Sequence, residues 1–388
     1  MLALLAFAGF TSVLAMRLCD AMLPALATTF ATSPADAAAV VSAFALAYGV
    51  MQLAYGVLGD RYGKPRVIAF ASAWCAIATL AAAVAPTLQL LVLARAGMGA
   101  GAAAIVPLTL AWIGDTVALE QRQATLARFS GYTLTGMMLG AWTGGLVTDV
   151  FGWRAAFYAV APLFALAAAL LLQRSGHSRL HAPHVDTAPY WDRVKTLLAA
   201  PWTRVVLACV FVEGALSVGF LAFVPTLLHD RFGIPLAGAG AILAVFPLGG
   251  LVFSRSAPFL LRRFDPPAQA RLACLPLAGG FAMLAAMPHW TVAPAACALA
   301  GFGFYTLHNT LQLTGTQLST SSRGLAMSLF AGGLFVGQAA GVVIAAALFA
   351  RFDSALGFGT AGAGLALLCL VFASQLGRRA AASGGPPA

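Results

Sequence analysis

The sequence predicts an all-α membrane protein with twelve transmembrane helices, arranged as two parallel six-helix repeats. First, 61% of the 388 residues are hydrophobic and only 9% are charged, whereas soluble proteins carry about 25% charged residues. Second, the apolar residues fall into separate runs, most of them as long as the roughly 20 residues that cross a bilayer. Third, the sequence resembles itself at a constant offset of 201 residues. The first two observations exclude a water-soluble globular protein, and the third predicts the duplication.

The predicted helices leave one long polar connection, residues 174–202. The first run is expected to stay as a helix and not to be cleaved as a signal peptide, because Arg17 and Asp20 interrupt it and no basic segment precedes it. The twelve predicted spans are 2–28, 36–58, 67–85, 88–114, 129–150, 154–173, 203–228, 235–254, 268–288, 290–317, 325–350 and 355–377.

The spans divide into an N-terminal bundle (1–172), a linker (173–202) and a C-terminal bundle with a short tail (203–388). The linker stretch "YWDRVKTLL" predicts a short interfacial helix. With the N-terminus inside, 17 of the 22 Lys and Arg residues fall on the cytoplasmic side and three, Arg154, Arg231 and Arg351, on the other. This bias predicts a multi-pass protein with both termini in the cytoplasm. It also explains the net charge of +10 without nucleic acid.

The internal repeat is carried by proline, arginine and glycine positions. At the offset of 201, Pro24 matches Pro225 and Arg61 matches Arg262; Gly136 and Gly140 match Gly337 and Gly341. Because each half holds an even number of helices, the halves share one orientation and are related by an axis along the membrane normal. Substrate sites in such proteins lie near the midplane, between the repeats.

Three motifs give the chain a resemblance to a known family. "GVLGDRYGKPR" (56–66) resembles the loop between helices 2 and 3 of the major facilitator superfamily. "RAGMGAGA" (95–102) is similar to that family's fourth-helix motif. "GMMLGAWTGG" (136–145) is similar to its fifth-helix antiporter motif, with Ala141 in place of the motif's proline. The resemblance covers nearly the whole chain and implies a drug/proton antiporter of the sugar-efflux or multidrug-efflux type.

The resemblance implies a secondary transporter that couples proton entry to the export of a small organic or amphiphilic compound across the inner membrane by alternating access. Proton-coupled uptake is the alternative. A membrane enzyme or receptor is a second alternative, disfavoured because the sequence has no nucleophile elbow and no HExxH motif. The expected partners are the substrate, protons and lipid, with no nucleic acid and no cofactor, and a monomer is expected.

Two of the twelve Asp and Glu residues, Asp20 and Glu213, fall well inside predicted helices. Charges in hydrocarbon cost about 2.5–3.5 kcal/mol on insertion scales, so they mark functional sites by default. Arg17 lies one helical turn from Asp20, and Arg95 of the fourth helix is expected at a similar depth. These three residues predict a site for proton coupling or substrate binding. A static Arg17–Asp20 ion pair remains the alternative.

The second half supplies its own polar candidates. Glu213 of the seventh helix and His308 of the tenth both lie about ten residues from the ends of their helices. The resemblance places helices 1, 4, 7 and 10 around the cavity, so the two are expected to form a pair; a packing hydrogen bond is the alternative. Weaker candidates are Asn309 and Gln312 on the tenth helix, and Tyr48 and Gln52 on the second, where helix packing is favoured.

Two further sets carry mechanical roles. The resemblance implies that the gating set closes the cytoplasmic side by joining the second helix to the eleventh, whereas the plain reading is that its charges set the topology. The set comprises Gly56, Asp60, Arg61, Gly63, Lys64, Arg66 and Asp115. The packing set is expected to let helix backbones approach closely; it comprises Gly136, Gly140, Gly144 and Gly145.

No metal site is expected. The six cysteines lie in apolar stretches without a CxxC spacing, which is typical of small buried apolar residues. His177, His181, His184 and Asp186 of the linker have spacings that metal ligands sometimes use, but Pro183 interrupts any single helix there. A flexible basic linker is therefore favoured.

Overall fold

The computed structural model describes residues 1–175, 190–319 and 322–382, and no strand occurs in those ranges. The linker histidines and Asp186 lie outside the described residues. The helices are α1 (Leu2–Arg17), α2 (Leu23–Thr29), α3 (Pro34–Ala37), α4 (Ala39–Tyr62), α5 (Lys64–Ala83), α6 (Leu88–Ala102), α7 (Ile105–Thr116), α8 (Leu119–Phe151), α9 (Trp153–Ser175), α10 (Tyr190–Ala199), α11 (Pro201–Glu213), α12 (Val224–Phe232), α13 (Leu236–Leu243), α14 (Phe246–Arg263), α15 (Pro266–Ala286), α16 (Ala293–Thr316), α17 (Arg323–Phe349) and α18 (Ser354–Ala382). A π-helical turn, Gly214–Gly219, joins α11 to α12, and a 3₁₀ turn, Trp290–Val292, precedes α16.

These helices form the twelve predicted membrane segments. Ten of the described helical stretches are long and apolar enough to cross a bilayer. The other two are α1 with α2, which is interrupted, and α8, in which glycines and threonines alternate with the apolar residues. The prediction of an all-α, twelve-helix membrane protein is confirmed.

Four segments predicted as single runs are interrupted shortly before a proline. The first, fourth, seventh and eighth segments break at residues 18–22, 103–104, 222–223 and 244–245. Each break lies two or three residues before a proline, namely Pro24, Pro107, Pro225 or Pro247. Proline has no N–H for the i→i−4 bond, and its ring clashes with the carbonyl of residue i−4. The helix therefore ends before each proline and begins again around it.

The repeat reappears as matching contacts between helices. In the first half, Gly136 and Gly140 of α8 lie against the carbonyls of Phe10 and Leu14 of α1. In the second half, Gly337 and Gly341 of α17 lie against the carbonyls of Phe211 and Ala215. Every residue of the second set is 201 positions from its counterpart, so the two halves use the same close approach of helix backbones.

The two halves meet closely at one end of the bundle. We call the end that carries α10 the linker end and the opposite one the far end. At the far end α8 packs along α13: Gly145 lies against the Leu236 carbonyl, and Gly240 against the Ala141 carbonyl. The Asp149 carboxylate also accepts a hydrogen bond from the backbone N–H of Ala237 at 2.8 Å. These contacts form what we call the far-end seam.

The halves are less tightly packed toward the linker end. α8 packs along α13 but barely touches α14, which continues the same segment to the linker end. α4 and α17 stay in contact near mid-membrane, where Tyr48 and Phe335 have ring centroids 4.2 Å apart. The arrangement is closed at the far end and looser at the linker end.

The linker helix α10 touches both halves. Tyr190 donates a hydrogen bond from its hydroxyl to the Leu53 carbonyl of α4 at 2.7 Å. Partial burial raises the pKa of this hydroxyl, so it stays protonated and donates. Val194 and Leu197 pack against Leu325 of α17.

Candidate functional site

The break in the first segment places an ion pair between the halves. Arg17 is the last residue of α1, and its Nη1 donates to Asp20 Oδ2 at 3.1 Å. Asp20 is fully buried, and its Oδ1 has no hydrogen-bond partner among the described residues. The Arg17 side chain is 9% exposed and lines a small cavity of about 10 Å³ that Met137 of the first half shares with Phe246 of the second. The pair therefore lies where the two halves meet.

Arg95, the expected third member of this site, bonds to backbone instead. Its guanidinium donates to the carbonyls of Ala15 at 2.9 Å, Met16 at 3.4 Å and Val40 at 3.2 Å. It also lies over the Phe44 ring at 4.3 Å. The last carbonyls of a helix have no partner within the helix, and α1 ends at Arg17, so Arg95 caps the interrupted helix. It is fully buried, near Asp20 but without a hydrogen bond to it.

Glu213 and His308 form the second pair. His308 Nδ1 lies 2.8 Å from Glu213 Oε2. Glu213 is fully buried and its Oε1 has no hydrogen-bond partner in the described part of the chain, whereas the His308 side chain is 18% exposed. The imidazole stacks on Phe304, with ring centroids 5.2 Å apart and planes 12° apart, which fixes its orientation. A buried acid thus contacts a base that reaches open space.

The local backbone at Glu213 is irregular. The π-helical turn begins at the next residue, and Ser217 donates to the Glu213 carbonyl. Such π turns occur frequently at functional sites. This turn packs against α17 by close backbone approach, since Gly214 lies on the Leu334 carbonyl and Gly219 on Gly341.

The weaker candidates are not brought to either pair. Asn309 is half-buried and Gln312 is exposed. Tyr48 is buried between Phe44 and Phe335, and Gln52 is buried beside it on α4. Among the described residues, none of these four side chains hydrogen-bonds to either pair.

The gating set forms a bridge inside the first half. Lys64 Nζ lies 2.9 Å from Asp60 Oδ1 and 2.7 Å from Asp115 Oδ2, which ties together the ends of α4, α5 and α7. Gly63 ends α4 at a φ of +89°, a conformation that side chains with a Cβ rarely adopt. Arg61 lies over the Tyr62 ring at 5.3 Å. Arg61 and Arg66 line an apolar groove between α4 and α5, and Gly56 faces open space.

The packing glycines divide between two partners. Gly136, Gly140 and Gly144 lie against successive carbonyls of the first segment, within one half, whereas Gly145 lies against the other half. The sequence reasoning missed Gly240, which lies against the carbonyl of Ala141, the position where the family motif has proline. It also missed Tyr305, whose hydroxyl lies 4.0 Å from Met137 Sδ across the halves. The small-residue run "LAGAGAIL" around Gly240 was the available signal.

Comparisons with known proteins agree with this architecture. The family model of the Major Facilitator Superfamily matches residues 5–322. The chain is 28% identical over 257 residues to the Arabidopsis thaliana chloroplastic sodium-dependent phosphate transport protein 1, covering 61% of this chain and 49% of that protein. It is 27% identical over 244 residues to the multidrug resistance protein MdtL of Shewanella oneidensis, covering 62% and 61%. These matches thus span about half to three fifths of the length of those relatives.

A solved structure of the nucleoside transporter NupG, in a mutant form, superposes with a TM-score of 0.78 at 16% identity. The superposition covers 96% of this chain and 99% of that one, and it shows the fold alone. The chain is a multi-pass membrane protein that belongs to the Major Facilitator Superfamily.

Proposed function

We propose that this transporter exports a small amphiphilic organic compound in exchange for protons, by exposing a site between its halves to the two sides of the inner membrane in turn. The relative named a multidrug resistance protein supports export. The interrupted helices and ionisable pairs at the middle of the bundle support a central site, since family folds of this kind bind substrate between their repeats.

The Glu213–His308 pair is the observation that carries proton coupling. An ionised carboxylate in a membrane interior is costly, and Glu213 Oε1 has no hydrogen bond to reduce that cost. A proton on this group removes the charge. His308 provides the route, because its partly exposed ring accepts a proton at one nitrogen and releases another from Nδ1 to Glu213 Oε2.

The groups around Glu213 leave His308 as the residue with which it exchanges a proton. Among the described residues, the other titratable groups near it are the thiols of Cys209 on its own helix and Cys369 on α18. A thiol stays protonated at neutral pH unless a nearby cation or metal stabilises the thiolate. Glu213 therefore gains and loses its proton through the imidazole.

We propose that protonation biases a rocking motion of residues 1–172 against 203–377. A ligand shifts such an equilibrium by its difference in affinity between the two states. At the linker end, the Lys64 bridge to Asp60 and Asp115 holds the termini of α4, α5 and α7 together as one rigid body. Arg61 and Arg66 then engage α17 when the linker end closes. Asp20 is the second candidate for the coupling carboxylate.

The alternative is proton-coupled uptake by the same movements. This alternative is supported by the relative named for sodium-dependent phosphate transport, since that name does not describe efflux. The two directions differ in whether the compound moves against or with the protons.

Purified protein in proteoliposomes with an imposed pH gradient tests the proposal. We expect an exported compound, found by screening a panel of amphiphiles, to move opposite to the protons. Glu213→Gln should lose acceleration by the gradient while retaining downhill exchange, and His308→Gln should flatten the pH dependence of the rate. Glu120→Gln, which alters an exposed carboxylate at the start of α8, is the control.

Movement in the direction of the protons would replace export by uptake. Full, pH-dependent coupling in Glu213→Gln would remove Glu213 from the coupling role. If Asp20→Asn alone then lost coupling, the coupling carboxylate would be Asp20.

A further inference from the structure

We call the Arg17–Asp20 and Glu213–His308 pairs the central site; in both pairs the acid is buried and the base is partly exposed. Asp20 and Glu213 have no exposed surface. Their partners are partly exposed: 9% of the Arg17 side chain and 18% of the His308 side chain. A compound that reaches either pair meets the base before the carboxylate, because each carboxylate is fully buried.

Arg17 has hydrogen-bonding capacity left over. A guanidinium carries five N–H donors, and the described residues give Arg17 one hydrogen bond, to Asp20 Oδ2. The side chain lines the cavity beside Met137, Leu243 and Phe246. The site therefore offers free donors from a fixed cation, surrounded by apolar side chains of both halves.

A cationic compound finds no exposed carboxylate at either pair among the described residues. To pair with it, Asp20 would have to leave Arg17, or Glu213 would have to leave His308 and become exposed. An anionic headgroup needs no such rearrangement, because guanidinium binds carboxylate and phosphate through parallel hydrogen bonds. An incoming anion uses the N–H donors that Asp20 leaves free, and the negative charge of Asp20 weakens its binding to the shared cation.

We propose that the central site, once the halves move apart and widen this small cavity, binds amphiphilic organic anions, with the acidic headgroup on Arg17 and the apolar body between Met137 and Phe246. The inference rests on the proposed function only in that compounds bind between the halves; it is independent of transport direction and of proton coupling. Asp20 acts as the internal competitor that holds Arg17 when the site is empty.

The test measures binding alone, so its failure is distinguishable from a failure of proton-coupled export. Three dansyl probes share one alkyl chain and end in a carboxylate, a methyl ester or a trimethylammonium group. Each is titrated by fluorescence at constant pH into the protein in phosphatidylcholine nanodiscs, and the signal of empty nanodiscs is subtracted. We expect the carboxylate probe to bind about tenfold or more tightly than the ester, as a charge-assisted hydrogen bond allows, and the trimethylammonium probe to bind no better than the ester.

Variants assign the preference to Arg17. Asp20→Asn removes the competing charge and should tighten binding of the carboxylate probe, whereas a merely structural ion pair predicts unchanged or weaker binding. The double variant Arg17→Gln with Asp20→Asn leaves no unpaired buried charge and should bind carboxylate and ester equally. Arg351→Gln removes an exposed arginine at the far end and should retain the preference. Thermal unfolding checks that each variant is folded.

Equal binding of the three probes by the wild-type protein, or tighter binding of the trimethylammonium probe, would overturn the proposal. So would a carboxylate preference that survives in the folded double variant.

Discussion

Substitutions at two adjacent glycines of α8 test separately the stability of one half and the movement between the halves. Gly144 lies against the Leu18 carbonyl of its own half, and Gly145 against the Leu236 carbonyl of the other half. We expect Gly145→Ala to shift the protein toward a state open at the far end. Gly144→Ala should instead lower the stability of the first half, because a contact within one packed body is not relieved by movement between the halves.

The size of the effect follows from the far-end seam. A Cβ at position 145 would lie 2.5 Å from the Leu236 carbonyl carbon and 2.9 Å from the Ala237 nitrogen. Non-bonded heavy atoms prefer about 3.5–4.0 Å, so the halves must part by about 1 Å. Overpacking of this kind costs about 1–3 kcal/mol, which changes a two-state equilibrium by about 5- to 150-fold. The gain in helix propensity from Gly to Ala is the same at both positions and cancels.

Spin labels at Gln89 and Arg351, exposed far-end positions in different halves, report the opening as a longer distance in pulsed electron paramagnetic resonance. In a background with its six cysteines replaced, Gly145→Ala should populate the long distance at nearly unchanged thermal stability. Gly144→Ala should keep the wild-type distance distribution and unfold at a lower temperature.

An unchanged distance distribution in Gly145→Ala would refute the reasoning, since it would mean that the contact with Leu236 does not limit opening. The same opening in Gly144→Ala would refute it as well, because the assignment of the two glycines to different partners would then have no consequence.

Two other changes test single contacts. Arg95→Gln removes the guanidinium from three carbonyls. Because each buried polar group left unpaired costs about 1–3 kcal/mol, we expect a large drop in thermal stability. Arg95→Lys should restore little of it, since an ammonium group lacks the planar geometry of the guanidinium. Lys64→Gln breaks the bridge between Asp60 and Asp115, whose side chains are 64% and 58% exposed, so stability should change little. Transport should slow if the bridge coordinates gating. Equal transport rates in Lys64→Gln and in the exposed control Lys195→Gln would remove the bridge from the mechanism.

Much of the fold could be predicted because lipid leaves few alternatives. A run of about 20 apolar residues must form a helix to satisfy its own backbone, so spans and their number follow from composition and spacing. The repeat offset was also predictive at the level of contacts: Gly136 with Phe10 and Gly337 with Phe211 are the same contact 201 residues apart. Glu213 and His308 meet as expected, because both lie near the midpoint of their segments.

The parts that were missed depend on backbone irregularity and on partners distant in sequence. Arg17 and Asp20 were placed on one face of a continuous helix, whereas α1 ends at Arg17 and Asp20 lies in the break before Pro24. The proline was visible, but the residue at which the helix stops depends on what caps it. That cap is Arg95, whose acceptors are carbonyls, and carbonyls carry no sequence signal.

At the far-end seam both surfaces are main chain, with glycine as the smallest possible residue at positions 145 and 240. No substitution at either position can remove atoms there, and each one adds some. Random variation at these two sites therefore pushes the resting conformation in a single direction, toward opening away from α10. Substitutions that favour the conformation closed at the far end must lie at other positions in the chain.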